Sequence, residues 1–280
     1  MVKFIVLSDL HLVPEGQLSY GIDTFGRAER AIAKINENHA DAAFVVFAGD
    51  IADHGAPGAY VRFAALRNQL QVPSFVTMGN HDDRQCYLAH CPGEHCPATG
   101  RLDHMIDAGT HRVIVLDTLQ SGEAWGWLEP VQLDWLAARL DEVLDRPVIV
   151  VLHHNPSDLS LRTDAIRLKN VAQLVDTLKR HPRVEQIISG HVHLTTAGSL
   201  AGMPFCTLGG NHFAVAPVLK SNPRPAAFDE IFLEGPAQFA VVLGLETGVV
   251  VHFENYTDRH EILPIEQFRA ILLPAFEGIP

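Results

Sequence analysis

Eight residues of this 280-residue chain have the types and placement to do chemistry together: Asp9, His11, Asp50, Asn80, His81, His153, His191 and His193. Each group closes a short apolar run, the signature of a strand buried on both faces. Residues 4–7 lead into Asp9-Leu10-His11, 43–48 into Gly49-Asp50, and 74–78 into Gly79-Asn80-His81-Asp82. Residues 147–152 lead into His153-His154, and 185–189 into Gly190-His191-Val192-His193. Side chains two apart on an extended segment point the same way, so Asp9 and His11 can share one ion. Carboxylates and imidazoles are costly to crowd unless something pairs them, and a metal ion does so. Without His81 the set offers seven ligands, too many for one ion and suited to two. Asp50 is the natural bridge, because a carboxylate has two oxygens to offer while an imidazole binds one ion. The mixture of imidazole, carboxylate and amide without thiolate points to Zn, Fe, Mn or Co, and the number of histidines argues against a pure Mg or Ca site. Two ions about 3.5–4 Å apart stabilise the attacking and leaving oxygens of an in-line phosphoryl displacement and lower the pKa of a bound water.

The elements that must position these residues follow from the pattern between them. A helix is expected from a cap at Thr24 to about Asn38, with Phe25, Ala28, Ile32 and Ile35 on its apolar face. A second, over 59–70, carries Tyr60, Phe63, Ala64 and Leu66. Strand, helix, strand, helix, strand predicts parallel pairing with right-handed crossovers, which puts three carboxyl ends on one edge of the sheet. Residues 83–109 read as irregular; a strand over 111–117 ends in Asp117, expected to support the sheet or a ligand histidine rather than bind metal. A helix over 131–144 turns Leu133, Leu136, Leu140 and Val143 inward, and the loop 155–169 is expected over the site. After a further helix at 170–181, four short strands split by Ala201-Gly202 and Thr247-Gly248 predict antiparallel hairpins. A second sheet packed on the first, helices outside, is the simplest layering. The expected fold is therefore α/β, a four-layer α-β-β-α sandwich of two mixed sheets, with a binuclear metal site at strand C-terminal ends and a small cap or dimerisation segment. Residues 1–213 would form the core, 214–237 the cap or interface, 238–260 the closing strands of the core, and 261–280 an apolar tail docked or shared between subunits.

Composition narrows the partners. Lys and Arg number 21 against 33 Asp and Glu, a formal charge of -12, and no basic stripe is present, so nucleic acid is disfavoured as a partner. No segment approaches the roughly 18 apolar residues of a membrane span, and the amino terminus lacks a secretory layout. A cytoplasmic protein without a membrane partner is expected. The cysteines Cys86, Cys91, Cys96 and Cys206 lack the spacing of a zinc knuckle and read as free thiols. A homo-oligomer, a dimer or dimer-based assembly, is expected from the 214–237 segment and the tail.

In order, Asp9-Leu10-His11, Gly49-Asp50, Gly79-Asn80-His81-Asp82, His153-His154 and Gly190-His191-Val192-His193 resemble the five blocks of the calcineurin-like metallophosphoesterase superfamily. The spacing and the Asp82-Asp83 pair look like its bacterial branch of class III cyclic nucleotide phosphodiesterases and glycerophosphodiester phosphodiesterases. The resemblance implies that Asp9, His11, Asp50 and His193 hold one ion and Asp50, Asn80, His153 and His191 the other. It implies hydrolysis of a small-molecule phosphodiester by a hydroxide bridging two divalent or mixed-valence transition metal ions. His81 would face the phosphate, stabilising charge or protonating the leaving alkoxide, with Asp82 or a neighbouring backbone carbonyl orienting it. His212, in Gly209-Gly210-Asn211-His212, would come near the substrate. Asn155 departs from the branch, which usually shows two histidines followed directly by proline, and adds polarity where substrate is chosen.

Cyclic nucleotides and glycerophosphodiesters stand nearly even. An adenine ring needs an aromatic wall, which Tyr20 and Phe25 or the 213–236 segment could supply; a glycerol head group suits Asn155 and Asn211. Rival readings are a phosphomonoesterase or phosphonate-ester hydrolase, and a non-catalytic metal-binding domain. A dianionic monoester would want cationic clamps, and only Arg84 adjoins the blocks.

Overall fold

The computed structural model describes residues 1–91, 93, 99–222 and 232–258. The chain begins with β1 (Val2–Leu7), α1 (Thr24–Asn38), β2 (Val45–Ala48), α2 (Pro57–Arg67) and β3 (Ser74–Thr77). Here β1, β2 and β3 pair in parallel, as the alternation predicts. Then come α3 (Arg84–His90), β4 (His104–Ala108), β5 (His111–Leu116), α4 (Pro130–Asp141) and β6 (Val148–Leu152). A 3-10 turn at Arg162–Ile166 precedes α5 (Val171–Leu178), β7 (Val184–Ser189), β8 (Thr196–Leu200) and β9 (Met203–Thr207). Short strands β10 (Ala214–Val215) and β11 (Phe232–Leu233) pair with each other, and β12 (Gln238–Leu245) and β13 (Gly248–Asn255) close the described chain.

Two mixed sheets result, ordered β13-β12-β1-β2-β3 and β4-β5-β6-β7-β9-β8. The period of two along each strand decides which layer a side chain enters. In β1, Phe4 and Val6 point between the sheets to meet Val113, Val115, Ile149, Val151 and Ile188. Ile5 and Leu7 point the other way, into a core with Ala28, Ile32 and Ile35 of α1 and Tyr60 and Phe63 of α2. On the far side, Ile114, Leu116, Val150 and Leu152 pack under Leu136 and Leu140 of α4 and Leu174 and Leu178 of α5. Helices, sheet, sheet, helices is the four-layer sandwich expected.

Two local expectations are corrected. Residues 83–109 are not all irregular: Asp83 caps α3 by accepting from the Cys86 amide at 2.8 Å, and β4 pairs antiparallel with β5. Both elements are short and half-buried, which left little periodic signal. Asp23, rather than Thr24, caps α1, accepting from the Gly26 amide; the Thr24 hydroxyl donates to the His11 carbonyl instead. The C-terminal hairpins are antiparallel as expected and divide between the sheets. One, β8/β9, extends the second sheet from β7, whereas β12/β13 returns to pair antiparallel with β1, with Phe4 opposite Val242. Asp117, expected to support the sheet or a ligand histidine, supports the end of β5: it accepts the Leu102 and Leu119 amides and takes a two-pronged ion pair from Arg84 at 2.7 and 2.8 Å.

Cys86, Cys91 and Cys206 carry free thiols, while Cys96 lies outside the described residues, as do 261–280 and the middle of the 214–237 segment. No helix among the described residues is long and apolar enough to cross a membrane.

Phe4 is fully buried between the sheets and stacks on Phe44 with ring centroids 4.9 Å apart. Phe4→Ala opens a cavity there and is expected to cost about 3–5 kcal/mol of unfolding free energy. The check is a urea melt, in which the midpoint should fall with little change of slope.

Candidate metal centre

The chain reaches the site at the carboxyl ends of strands from both sheets. Past β1 and β2 the two loops stay paired, the Asp9, His11 and Leu12 amides donating to the Gly49, Asp50 and Ile51 carbonyls. Five of the expected ligands leave their strands in the left-handed region: Asp9, His11, Asp50, His191 and His193 have φ between 44° and 72°. Such a conformation is rare outside glycine and persists only where the surroundings over-determine it.

The surroundings here are tight. The His191 amide donates to both Asp9 carboxylate oxygens, at 3.0 and 3.2 Å, clamping the first sheet to the second. A Cβ on Gly190 would overlap the Ser8 hydroxyl and lie 2.6 Å from Asp9 Oδ2, so only glycine lets the two loops meet. A Cβ on Gly79 would overlap Asp50 Oδ1 and lie 2.7 Å from His153 Nε2.

All seven expected ligands converge. His153 Nε2 lies 3.2 Å from Asp50 Oδ2 and 3.3 Å from Asn80 Oδ1. His11 Nε2 lies 3.5 Å from Asp50 Oδ2 and 3.3 Å from His193 Nε2, and His193 Nε2 lies 3.6 Å from Asp9 Oδ1. The outer nitrogens settle the tautomers. His153 Nδ1 donates to the Ala48 carbonyl and His193 Nδ1 to the Phe213 carbonyl, both at 2.9 Å, so their Nε2 lone pairs face inward. His191 Nε2 donates to the Ile166 carbonyl at 3.1 Å, which leaves Nδ1 as its ligating atom. Ile166 belongs to the 155–169 loop, which therefore does overlie the site.

Lone pairs facing lone pairs across 3.2–3.6 Å are repulsive unless a cation stands among them. The electrostatics agree. Burial pushes the Asp50 carboxyl up, but the neighbouring His153, His11 and His81 hold it well below the usual carboxylate range. Burial alone would lower His153, yet Asp50 pushes it up to about 9, so this pair demands a positive charge. Burial drives His193 down to about 4 and His191, with the adjacent His153 charge, well below its ordinary value. Neutral imidazoles are what a metal ion requires. The donor set fits two ions that share Asp50: Asp9, His11 and His193 on one side, and Asn80, His153 and His191 on the other; Asp9 also lies within reach of Asp50 and His153, and His212 within reach of His11 and His193.

His81 stands at the mouth beside half-buried Asn80, its side chain 29% exposed where the other six expected ligands are nearly inaccessible. Its Nδ1 donates to Asp53 Oδ1 at 3.1 Å, which aims Nε2 outward, and its amide donates to Asp50 Oδ1. Burial lowers the His81 pKa, and the Asp53 hydrogen bond with the Asp50 charge more than offsets this, leaving it raised. Asp53 therefore orients His81, where sequence reasoning expected Asp82 or a carbonyl. Asp82 instead takes the Ile51, Ala52 and Gly79 amides and the Tyr60 hydroxyl, lacing two metal loops together. The missed signal was position: Asp53 lies three residues after the bridging Asp50, in the same loop.

His212 is buried beside the cluster, its ring centroid 4.6 Å from that of His11 and its Nδ1 without a hydrogen-bond partner. Asn155 does not sit at a rim: it is fully buried, donating to the Ser157 carbonyl, and its carbonyl accepts the Leu168 amide to fold the loop. Asn211 is likewise buried, tied to the Leu10 and Thr24 carbonyls and the Tyr256 hydroxyl. Phe25 packs against the core under the Arg62 guanidinium, 3.7 Å from its ring centroid, and offers no face to a ligand.

Beyond His212 opens a cavity of about 610 Å³ lined by Tyr20, Arg27, Arg30, Phe213, Phe232 and Leu233, among others. Phe213 joins it to the centre, stacking on His193 at 4.2 Å between centroids and meeting Phe232 edge-on at 4.8 Å.

Comparison with known proteins agrees with this geometry. A probable cyclic nucleotide phosphodiesterase from Rhodopseudomonas palustris is 35% identical over 210 residues, covering 73% of this chain and 76% of the relative. A glycerophosphodiester phosphodiesterase from Enterobacter lignolyticus is 29% identical over 225 residues, covering 78% and 80%. Among solved structures, a dimetal phosphatase from Danio rerio shares the fold at a TM-score of 0.66 and 16% identity, covering 91% of this chain and 99% of that one. The family model for calcineurin-like phosphoesterases matches residues 2–194, from β1 through the last of the converging histidines. That match takes in every ligand named above, and the chain belongs to the calcineurin-like phosphoesterase family.

Proposed function

We propose that this protein hydrolyses small-molecule phosphodiesters, and that cyclic nucleotides suit it better than glycerophosphodiesters. The observation that carries the reaction type is the convergence of seven inward-facing ligand groups on Asp50 with His81 at the mouth. The seven residues would hold two ions, which when bound would supply Lewis acidity and lower the pKa of water at neutral pH. Manganese, iron, zinc and cobalt all match the donor set. The chain's own residues do the rest. Asp9, His11, Asp50, Asn80, His153, His191 and His193 hold the charge that draws in an anionic phosphate. His81 Nε2 stabilises the equatorial oxygens and hands a proton to the departing alkoxide, with His212 lining the same approach.

A diester is favoured over a monoester by the cations on hand. Arg84 is committed to Asp117 and Arg27 to Glu234 and the Asn211 and His212 carbonyls, so neither is poised to clamp a second phosphate charge. A base-carrying diester is favoured by the aromatic cavity, since Tyr20, Phe213 and Phe232 offer stacking surface that a glycerol head group would leave unused. Relatives named for cyclic nucleotides and for glycerophosphodiesters both support the class. A dimeric protein accords with the exposed Phe232 and Leu233 beside the cavity.

The direct test is turnover of metal-stripped protein reloaded with manganese, cobalt, zinc or iron, on cyclic AMP, glycerophosphoethanolamine, an aryl diester and its monoester. Diester cleavage well above monoester cleavage, with cyclic AMP the better natural substrate, is expected; cleavage of the monoester alone would overturn the assignment. His81→Ala should lower diester turnover by about 10²–10⁴-fold with both ions retained. Asp50→Asn should instead show up in elemental analysis, as a fall in metal per chain below that of the reloaded wild type.

A further inference from the structure

Ser19 precedes Tyr20-Gly21, a two-residue turn closed by reciprocal hydrogen bonds between Ser19 and Ile22. Tyr20 sits there at φ 48° with its ring 75% exposed, an unfavourable place for a bulky aromatic, at the edge of the cavity described above. Ser19 itself is 2% exposed, and its contacts run inward. Its hydroxyl donates to Asp53 Oδ2 at 2.7 Å, and its carbonyl accepts from His212 Nε2 at 3.3 Å. The other oxygen of Asp53 holds His81 at 3.1 Å; His11 Nδ1 and His54 Nε2 face the same carboxylate from 3.6 Å. A buried carboxylate gripped on one oxygen by Ser19 cannot rotate, and the other oxygen is thereby aimed at His81.

We infer that Ser19 is a positioning residue, one that ties the turn bearing Tyr20 to the Asp53/His81 pair so that a base seated against Tyr20 and a proton delivered by His81 are held in register. The inference rests on the diesterase reading. The step it serves is balanced by water: its oxygen bonds to phosphorus and it gives up one proton to solvent, the ester P–O bond breaks, and the leaving alkoxide takes a proton from His81, which solvent then reprotonates. A hydroxyl bonded to a carboxylate that orients a proton donor matters most when the leaving group needs that proton.

The experiment compares wild type, Ser19→Ala and Ser19→Thr on cyclic AMP, whose leaving alkoxide needs a proton, and on bis(p-nitrophenyl) phosphate, whose phenoxide does not. Expected for Ser19→Ala is a loss in kcat of roughly ten- to a hundred-fold on cyclic AMP, little change on the aryl diester, and unchanged metal content, with Ser19→Thr restoring the loss. Equal losses on both substrates, or none on either, would overturn the inference. Nitrogen NMR of the His81 ring gives a readout without turnover: the Nδ1 signal should lose its carboxylate-bonded character in Ser19→Ala, and an unchanged signal overturns the proposal. If wild type cleaves neither diester, the functional reading fails while the NMR comparison still decides the role of Ser19.

Discussion

Nitrogen and oxygen lone pairs on His11, His153, His193, Asp9, Asp50 and Asn80 point at one another across a few ångströms of nearly dry interior, and the rest of the chain is arranged to keep them there. Without a positive charge among them this packing is repulsive, and metal ions would convert it into attraction. The backbone bears the same cost, since five ligand residues occupy the left-handed region, each at an expense on the order of 1–3 kcal/mol. Amide donors to Asp9 and Asp50 and close glycine contacts over-determine that conformation.

Placing the site where two sheets meet explains the division of labour among the elements. Neither sheet alone carries a full set: β1, β2 and β3 deliver Asp9, His11, Asp50 and Asn80, while β6 and β7 deliver His153, His191 and His193. The apolar layer of Phe4, Val6, Val115, Val151 and Ile188 fixes the spacing between the sheets, and that spacing fixes the distance between ligands. The return of β12 to β1 seals the edge of the first sheet and places Tyr256 against Asn211, behind the loop that carries His212.

Around this rigid centre the groups that meet substrate are held from outside it. Asp53 aims His81, Phe213 covers His193 and faces the aromatic cavity, and the 155–169 loop is pinned through Ile166 to His191. Each is a loop contact to a ligand or to its neighbour, so substrate preference can change by loop substitution while the ligand set stays in place.

The sequence by itself determined the parallel β1-β2-β3 unit, the layering and which side chains converge at the strand ends, because strand burial and residue type are local properties: apolar runs and the residues that end them. It read 83–109 as irregular, since α3 and β4 are too short for periodicity to register, and it named antiparallel hairpins without their sheets, since only the vacant edge of β1 decides where β12 pairs. It expected Asn155 at a rim and Asp82 behind His81. Tertiary structure buried the first and gave the second's role to Asp53. Which side chain faces a histidine depends on how two loops lie side by side in space, and loop juxtaposition leaves no period in the sequence. The same holds for the link from Ser19 to Asp53, which spans 34 residues and exists only because the folded loops cross.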